Sequence, residues 1–219
     1  LACPILLERC SQVAHERTRG MTSSAHRETP DAFPPDYLDS LAKSIRACRL
    51  FTVNNLNRDF VGTRGFSVVF VRDMVAKVTA EFPFFAPYLQ RALRADCNAF
   101  YLNPLQLESG SRVDPHIDRS LRSYCKDIAT PLEVSVLYVE VPPGMRGGSL
   151  VLARGKKTLA RVTPRPNLLV GFDGDLTHSV ERVDSPGRRL SLVCEQYALD
   201  ERELAEVPTY RVETRAREY

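Results

Sequence analysis

Four things are scarce in this 219-residue chain: long apolar runs, paired cysteines, an excess of one charge, and histidine. No stretch approaches the roughly 18 consecutive apolar residues of a membrane span, so no membrane role is expected. The opening LACPILL is cut short by Glu8 and Arg9, which leaves no apolar core for a secretory signal and makes a cytoplasmic location the expectation. Position 1 is not methionine, and Met21 is the candidate natural start. Six cysteines, at 3, 10, 48, 97, 125 and 194, form no C-x-x-C pair. That excludes a ribbon-type zinc site and the dense disulfide framework of a small secreted domain, and leaves free thiols. Thirty basic against 27 acidic residues give a net charge of +3, too even for nucleic acid to be the default partner. What remains is ordinary globular material, 43% hydrophobic and 26% charged, at a length that one β-rich domain can occupy.

Residues 1–35 are polar and turn-rich with no periodic apolar face, and are expected to form a poorly ordered or loosely docked leader. A single domain then fills 36–219. Its first part, 36–95, reads as helical support. Leu38, Leu41, Ile45 and Cys48 recur at helical steps and predict a helix over 36–49. A β-branched and aromatic strand follows at 65–72, then a second helical stretch over 73–95, broken near Pro83 and Pro87. After residue 96 the pattern changes to eight short strands separated by Gly, Pro and Asp turns: CNAFYLN, RVDPHID, LEVSVLYVEV, GSLVLA, KTLARV, NLLVGF, THSVERV and RRLSLVCEQYAL. With no helix between them, parallel βαβ units are disfavoured and an antiparallel sandwich or barrel is predicted over 97–198, with a C-terminal extension at 199–219. The class is therefore α+β, with flanking N-terminal helices bracing a β core.

Of the four histidines, His15 and His26 fall in the leader, which leaves His116 and His178 for chemistry. His116 and Asp118 stand two apart, and residues two apart in a strand share a face. His178 follows the turn Asp173-Gly174-Asp175, and a folded-over sheet could bring it to the same point. Two imidazoles and a carboxylate can hold iron(II) on one face and leave the other open. An H-x-D pair alone is frequent by chance. Arg189 and Ser191 are a second same-face pair, suited to a carboxylate because the guanidinium fork bonds it bidentately and the hydroxyl completes the shell. Arg188 points to the opposite face.

The order FYLN, PHID, LYVEV, GGSLVLA, PRPNLLVGFDGDLTHSV and GRRLSL resembles the catalytic core of the iron(II) and 2-oxoglutarate dependent dioxygenases, in their prolyl-hydroxylase-like branch, over residues 97–198. The resemblance implies a double-stranded β-helix, or jelly roll, with His116, Asp118 and His178 as iron ligands. Arg189 would grip the distal carboxylate of 2-oxoglutarate with help from Ser191. Tyr101 and Tyr138 match tyrosines that line the cosubstrate pocket, with aromatic core packing as the competing reading for both. Gly147 and Gly148 match a glycine pair where close backbone approach leaves no room for a side chain, against plain hairpin flexibility. The segment LNPLQLESGSRVDP between Tyr101 and His116 is longer than the tight turn of this branch and suggests an enlarged lid loop.

The implied activity is hydroxylation of an unactivated C–H bond in an amino acid or peptide. It is coupled to oxidative decarboxylation of 2-oxoglutarate to succinate and CO2, with Fe(II), O2 and possible ascorbate support. A protein side chain or carrier-bound intermediate is the alternative substrate. A non-catalytic jelly-roll binding module and a zinc hydrolase built on the same three ligands are the rival functions. A nucleic-acid demethylase is disfavoured because position 195, where that class carries a second arginine, is Glu, and a halogenase because Asp118 is present. Residues 141–172 hold six basic residues and no acidic one, which could steer an anionic partner or form an ordinary solvated hairpin.

Overall fold

A computed structural model describes residues 24–53 and 59–216. The first described element contradicts the expected leader. Strand β1 (His26–Thr29) pairs antiparallel with a core strand, and Ala32 and Phe33 lie buried in the helix-side core. Asn167, in the left-handed region at φ 63°, clamps this strap: its Oδ1 accepts from the Phe33 N–H at 2.9 Å and its Nδ2 donates to the Phe33 carbonyl at 2.7 Å. Residues 1–23, His15 among them, lie outside the described residues.

Helix α1 (Pro35–Ala47) forms where the 36–49 periodicity predicts. Pro35 opens it, where a missing N–H costs nothing, and Asp36 sits in the first turn, favourable to the helix dipole. Leu38, Leu41, Ala42 and Ile45 form its buried face, each large side chain worth about 1.5–3 kcal/mol of burial. Short strands β2 (Thr52–Val53), β3 (Phe60–Val61) and β4 (Arg64–Gly65) lead into β5 (Ser67–Val71). Helix α2 (Val75–Glu81) stops before Pro83, as predicted. Pro87 interrupts nothing: it occupies the first turn of α3 (Ala86–Ala92), where no N–H is needed.

The β core follows as β6 (Ala99–Glu108), β7 (Arg112–His116), β8 (Glu133–Glu140), β9 (Leu150–Arg154), β10 (Lys157–Val162), β11 (Leu169–Asp173), β12 (Thr177–Val180) and β13 (Arg188–Tyr197). All eight predicted strands are present. The chain closes with α4 (Glu201–Glu206), capped reciprocally by Asp200 and Glu203, and β14 (Tyr210–Glu213). One antiparallel sheet runs β1-β11-β8-β13-β6-β4-β2, with β5 also on β6 and β14 on β5. A smaller one runs β10-β9-β12-β7-β3. The two sheets make the double-stranded β-helix that the motif order implied.

The expected lid loop is not a loop. Most of LNPLQLESGSRVDP is regular strand, since β6 continues to Glu108 and β7 resumes at Arg112 after a short turn. Pro104 is tolerated because β5 pairs with β6 up to Leu102 and β4 takes over at Leu105, so that edge has no ladder partner where the N–H is missing.

Strand alternation divides the large sheet between two cores. On β13, Leu190, Leu192 and Cys194 pack toward the helices, as do Leu137 and Val139 of β8. Val134, Val136 and Tyr138 of β8 face the other way, into the space between the sheets with Leu150, Leu152 and Val180. Both faces are buried, so these strands read as near-continuous apolar runs. A polar residue on an inward position is therefore conspicuous.

Candidate active site

The register of β12 against β7 sets His178 directly opposite His116, with ring centroids 4.3 Å apart. Two residues past His116, Asp118 is buried and its carboxylate spans both rings: Oδ1 lies 3.1 Å from His116 Nε2 and Oδ2 lies 3.3 Å from His178 Nε2. All three ligand atoms fall within 4.8 Å of one another. Adjacent donors on one octahedral ion at about 2.1 Å sit about 3 Å apart, so the spacing suits a single metal. The tautomers suit it too. His116 Nδ1–H donates to the Asp114 carbonyl at 2.8 Å and His178 Nδ1–H to the Leu176 carbonyl at 3.3 Å, which leaves both Nε2 lone pairs turned to the shared point. Phe60 and Phe172 wall the rings at 5.2 and 5.0 Å. Burial opposes the charge on Asp118, yet the two imidazoles outweigh it and hold the carboxyl well below its usual range. Burial likewise opposes charge on His116, and the hydrogen bond and charge of Asp118 reverse that, raising it.

Arg189 enters the same cavity from β13 and is only 2% exposed, whereas the Arg188 side chain is 65% exposed and reaches Glu108 at 3.8 Å. Strand alternation thus puts Arg189 in the cavity and Arg188 outside it. Nη1 of Arg189 donates to the Gly148 carbonyl at 2.5 Å, and its guanidinium lies 5.1 Å from the Tyr138 ring centroid. No carboxylate of the described residues pairs with it, and burial pulls it below its usual range. Its Nε, the Ser191 hydroxyl and the Tyr138 hydroxyl are all buried without a hydrogen-bond partner. Ser191 and Tyr138 are direct cross-strand neighbours. Buried orphan groups are rare in native proteins, and three around one guanidinium fit an absent carboxylate ligand.

Gly147 has the steric reason expected of the pair, close backbone approach, whereas at Gly148 the left-handed backbone is the firmer constraint because the nearest atom is the end of a flexible side chain. Both residues sit at φ +72°; a Cβ on Gly147 would meet the Arg182 carbonyl oxygen at 1.9 Å, and one on Gly148 would meet Met145 Cε at 2.3 Å, beside the Arg189 guanidinium. Tyr101 lines the cavity, and the Ser67 hydroxyl donates to its hydroxyl at 2.5 Å. Burial raises its phenol. Three of the six basic residues of 141–172 are answered from outside the stretch: Arg154 pairs with Asp173 and Asp175, Arg161 with Glu181 and Arg165 with Glu28.

Three polar cavity residues, Asn103, Ser120 and Glu195, escaped the sequence reading. Glu195, noted there only as a missing arginine, is 3% exposed and lines the cavity. It accepts from the Ser120 N–H at 3.1 Å and from the Ser120 and Tyr197 hydroxyls. Burial and the neighbouring Asp118 charge push it up to about 8. Asn103, also in the lining, donates from Nδ2 to Ser67 Oγ at 3.0 Å, and its buried Oδ1 has no partner. The signal was available, since Glu195 stands an even number of residues from Arg189 and Asn103 two from Tyr101.

No protein-family model and no curated protein matches the chain. Solved structures do. A Pseudomonas putida prolyl-4-hydroxylase aligns with TM-score 0.56 and 17% identity over 81% of this chain and 95% of its own. A Trichoplax adhaerens prolyl hydroxylase, solved with a hypoxia inducible factor oxygen degradation domain peptide, aligns with TM-score 0.55 and 13% identity over 84% and 87%. A Burkholderia pseudomallei oxidoreductase of the 2OG-Fe(II) oxygenase family aligns with TM-score 0.52 and 13% identity over 81% and 87%. The chain has the fold these structures share, the jelly-roll double-stranded β-helix. Among the described residues no helix is long and apolar enough to cross a membrane.

Proposed function

We propose that this protein is an iron(II) and 2-oxoglutarate dependent oxygenase that hydroxylates an unactivated C–H bond of an amino acid or peptide. The observation that carries the reading is the coincidence, in one cavity, of a His-Asp-His cluster with a buried guanidinium that has no carboxylate partner. A zinc hydrolase would need the first and not the second, and a binding module has no reason to keep both. His116, Asp118 and His178 would hold the iron; Arg189, Ser191 and Tyr138 would bind the distal carboxylate of 2-oxoglutarate. Iron and 2-oxoglutarate, when bound, would supply the oxidising power, one atom of O2 passing into succinate as CO2 leaves and the other to the substrate carbon.

The protein's part is positioning and exclusion. The Asp114 and Leu176 carbonyls fix the imidazole tautomers. The Gly148 carbonyl aims the guanidinium, and Tyr138 stacks against it. Val134, Val136, Leu150, Val180 and Val193 line the remaining wall and keep water from the reacting groups. The peptide fragment held by the Trichoplax prolyl hydroxylase supports a peptide substrate, with a protein side chain as the alternative. The test is succinate formation from 2-oxoglutarate by the iron-loaded protein, screened against amino acids and short peptides. No 2-oxoglutarate turnover with any of them, and no binding of 2-oxoglutarate to the iron protein, would dismiss the proposal.

A further inference from the structure

Along the inward face of β13, Arg189 and Glu195 stand six residues apart, about 20 Å along an extended strand. The cosubstrate contacts account for Arg189 and leave Glu195. Its carboxylate has room for about four hydrogen bonds and receives three, from the Ser120 N–H, the Ser120 hydroxyl and the Tyr197 hydroxyl. Its hydrogen-bond partners among the described residues, Ser120 and Tyr197, are uncharged. On the adjacent strand β6, Asn103 lies diagonal to it, because Val193 is opposite Asn103 and Glu195 opposite Tyr101. The Asn103 amide is held through Nδ2 by Ser67, so the orphan Oδ1 is fixed as an acceptor. This wall therefore offers a carboxylate and an amide oxygen, two acceptors that call for N–H donors.

Charge points the same way. In the loaded site, iron(II) with Asp118 leaves one positive charge and 2-oxoglutarate with Arg189 leaves one negative charge. These cancel, so nothing else in the loaded site compensates Glu195, which burial and the Asp118 charge push up to about 8 in the empty site and which a cation bound beside it would hold ionised. A carboxylate out of water needs a cation close by. An anionic substrate would be repelled here, and a purely apolar one would leave the Asn103 oxygen unsatisfied.

We infer that the substrate carries a cationic nitrogen, an ammonium or guanidinium, received by Glu195 and Asn103. This rests on the oxygenase reading of the site and narrows its substrate class to basic amino acids or peptides that contain them.

The experiment uses the iron(II) protein under anaerobic conditions. The charge-transfer absorption that 2-oxoglutarate chelation produces is recorded first, and its absence would fault the oxygenase reading rather than this one. The N-acetyl amides of L-arginine and L-lysine, whose only charge is on the side chain, are then titrated against the near-isosteric neutral N-acetyl amides of L-citrulline and L-norleucine, following the perturbation of that band. The cationic probes are expected to bind at least about tenfold more tightly than their neutral counterparts. In Glu195→Gln that preference should collapse while 2-oxoglutarate affinity holds within about threefold. Asn103→Ala, which leaves the Ser120 and Tyr197 contacts of Glu195 intact, should weaken cationic probes more than neutral ones. Equal or better binding of the neutral probes, binding of none of the cationic ones, or an equal loss for both classes in the two variants would overturn the inference. So would a Glu195→Gln variant that loses 2-oxoglutarate and keeps the preference.

Discussion

Replacing Arg189 with Leu takes away a guanidinium that is 2% exposed, fixed to the Gly148 carbonyl and ringed by the unpartnered Ser191 and Tyr138 hydroxyls. The distal carboxylate of 2-oxoglutarate would then face Leu150, Val136 and Val180 with two hydroxyls in place of a cation. Leaving one member of a buried, hydrogen-bonded charge pair alone costs about 2–5 kcal/mol, or about 30-fold to several thousand-fold in affinity. Arg188→Leu removes a side chain that is 65% exposed and pairs loosely with Glu108, worth about 0–1 kcal/mol, so its effect should stay within about fivefold. Arg189→Lys keeps the charge and loses the fork, and should fall between the two. Ser191→Ala loses a single neutral hydrogen bond, about 0.5–1.5 kcal/mol.

Stability should move the opposite way from binding. Without 2-oxoglutarate the buried guanidinium is unpaired, so Arg189→Met should unfold at the same temperature as the parent protein or above it. The stabilisation that 2-oxoglutarate confers on the parent should vanish in that variant. Anaerobic titration of 2-oxoglutarate into each iron(II) protein, alongside thermal unfolding with and without it, measures both. A large loss in Arg188→Leu with none in Arg189→Leu would refute the assignment, and an Arg189→Met protein that is markedly destabilised when empty would refute the account of an unpaired charge.

His116→Ala, Asp118→Ala and His178→Ala should each lower succinate formation to background while circular dichroism stays that of a folded protein, since each removes a candidate ligand but little core volume. Gly147→Ala drives a Cβ into the Arg182 carbonyl at a left-handed backbone position and should cost about 1–3 kcal/mol, seen as a fall of several degrees in the unfolding midpoint. Gly148→Ala should weaken 2-oxoglutarate binding through displacement of the carbonyl that holds Arg189. Asn167→Ala strands the Phe33 N–H and carbonyl, about 1–3 kcal/mol for each buried group left unpaired, and hydrogen exchange should then be fastest over residues 24–33.

The sequence alone determined those features that follow from local periodicity. Helix α1 was legible because Leu38, Leu41 and Ile45 repeat at helical steps, and the eight core strands because Gly, Pro and Asp turns punctuate β-branched runs. The pairs His116/Asp118 and Arg189/Ser191 were legible as same-face pairs because side chains alternate strictly in a strand, and the motif order tied them to one site. Their meeting was not. Only the antiparallel register of β12 on β7 brings His178 opposite His116, and only the curl of the large sheet turns Arg189 into the cavity that holds them. Local polarity misled at residues 26–33, which look like leader until a partner strand and the Asn167 clamp satisfy their backbone groups. The lid expected over 102–115 rests on the shorter interval of the branch it resembles, and that length is taken up instead by a longer strand paired with β13. Glu195 and Asn103 sat in plain alternation with Arg189 and Tyr101. What singled them out was the absence of a counter-charge and of a donor, and a missing partner is a property of three-dimensional surroundings that no stretch of sequence carries.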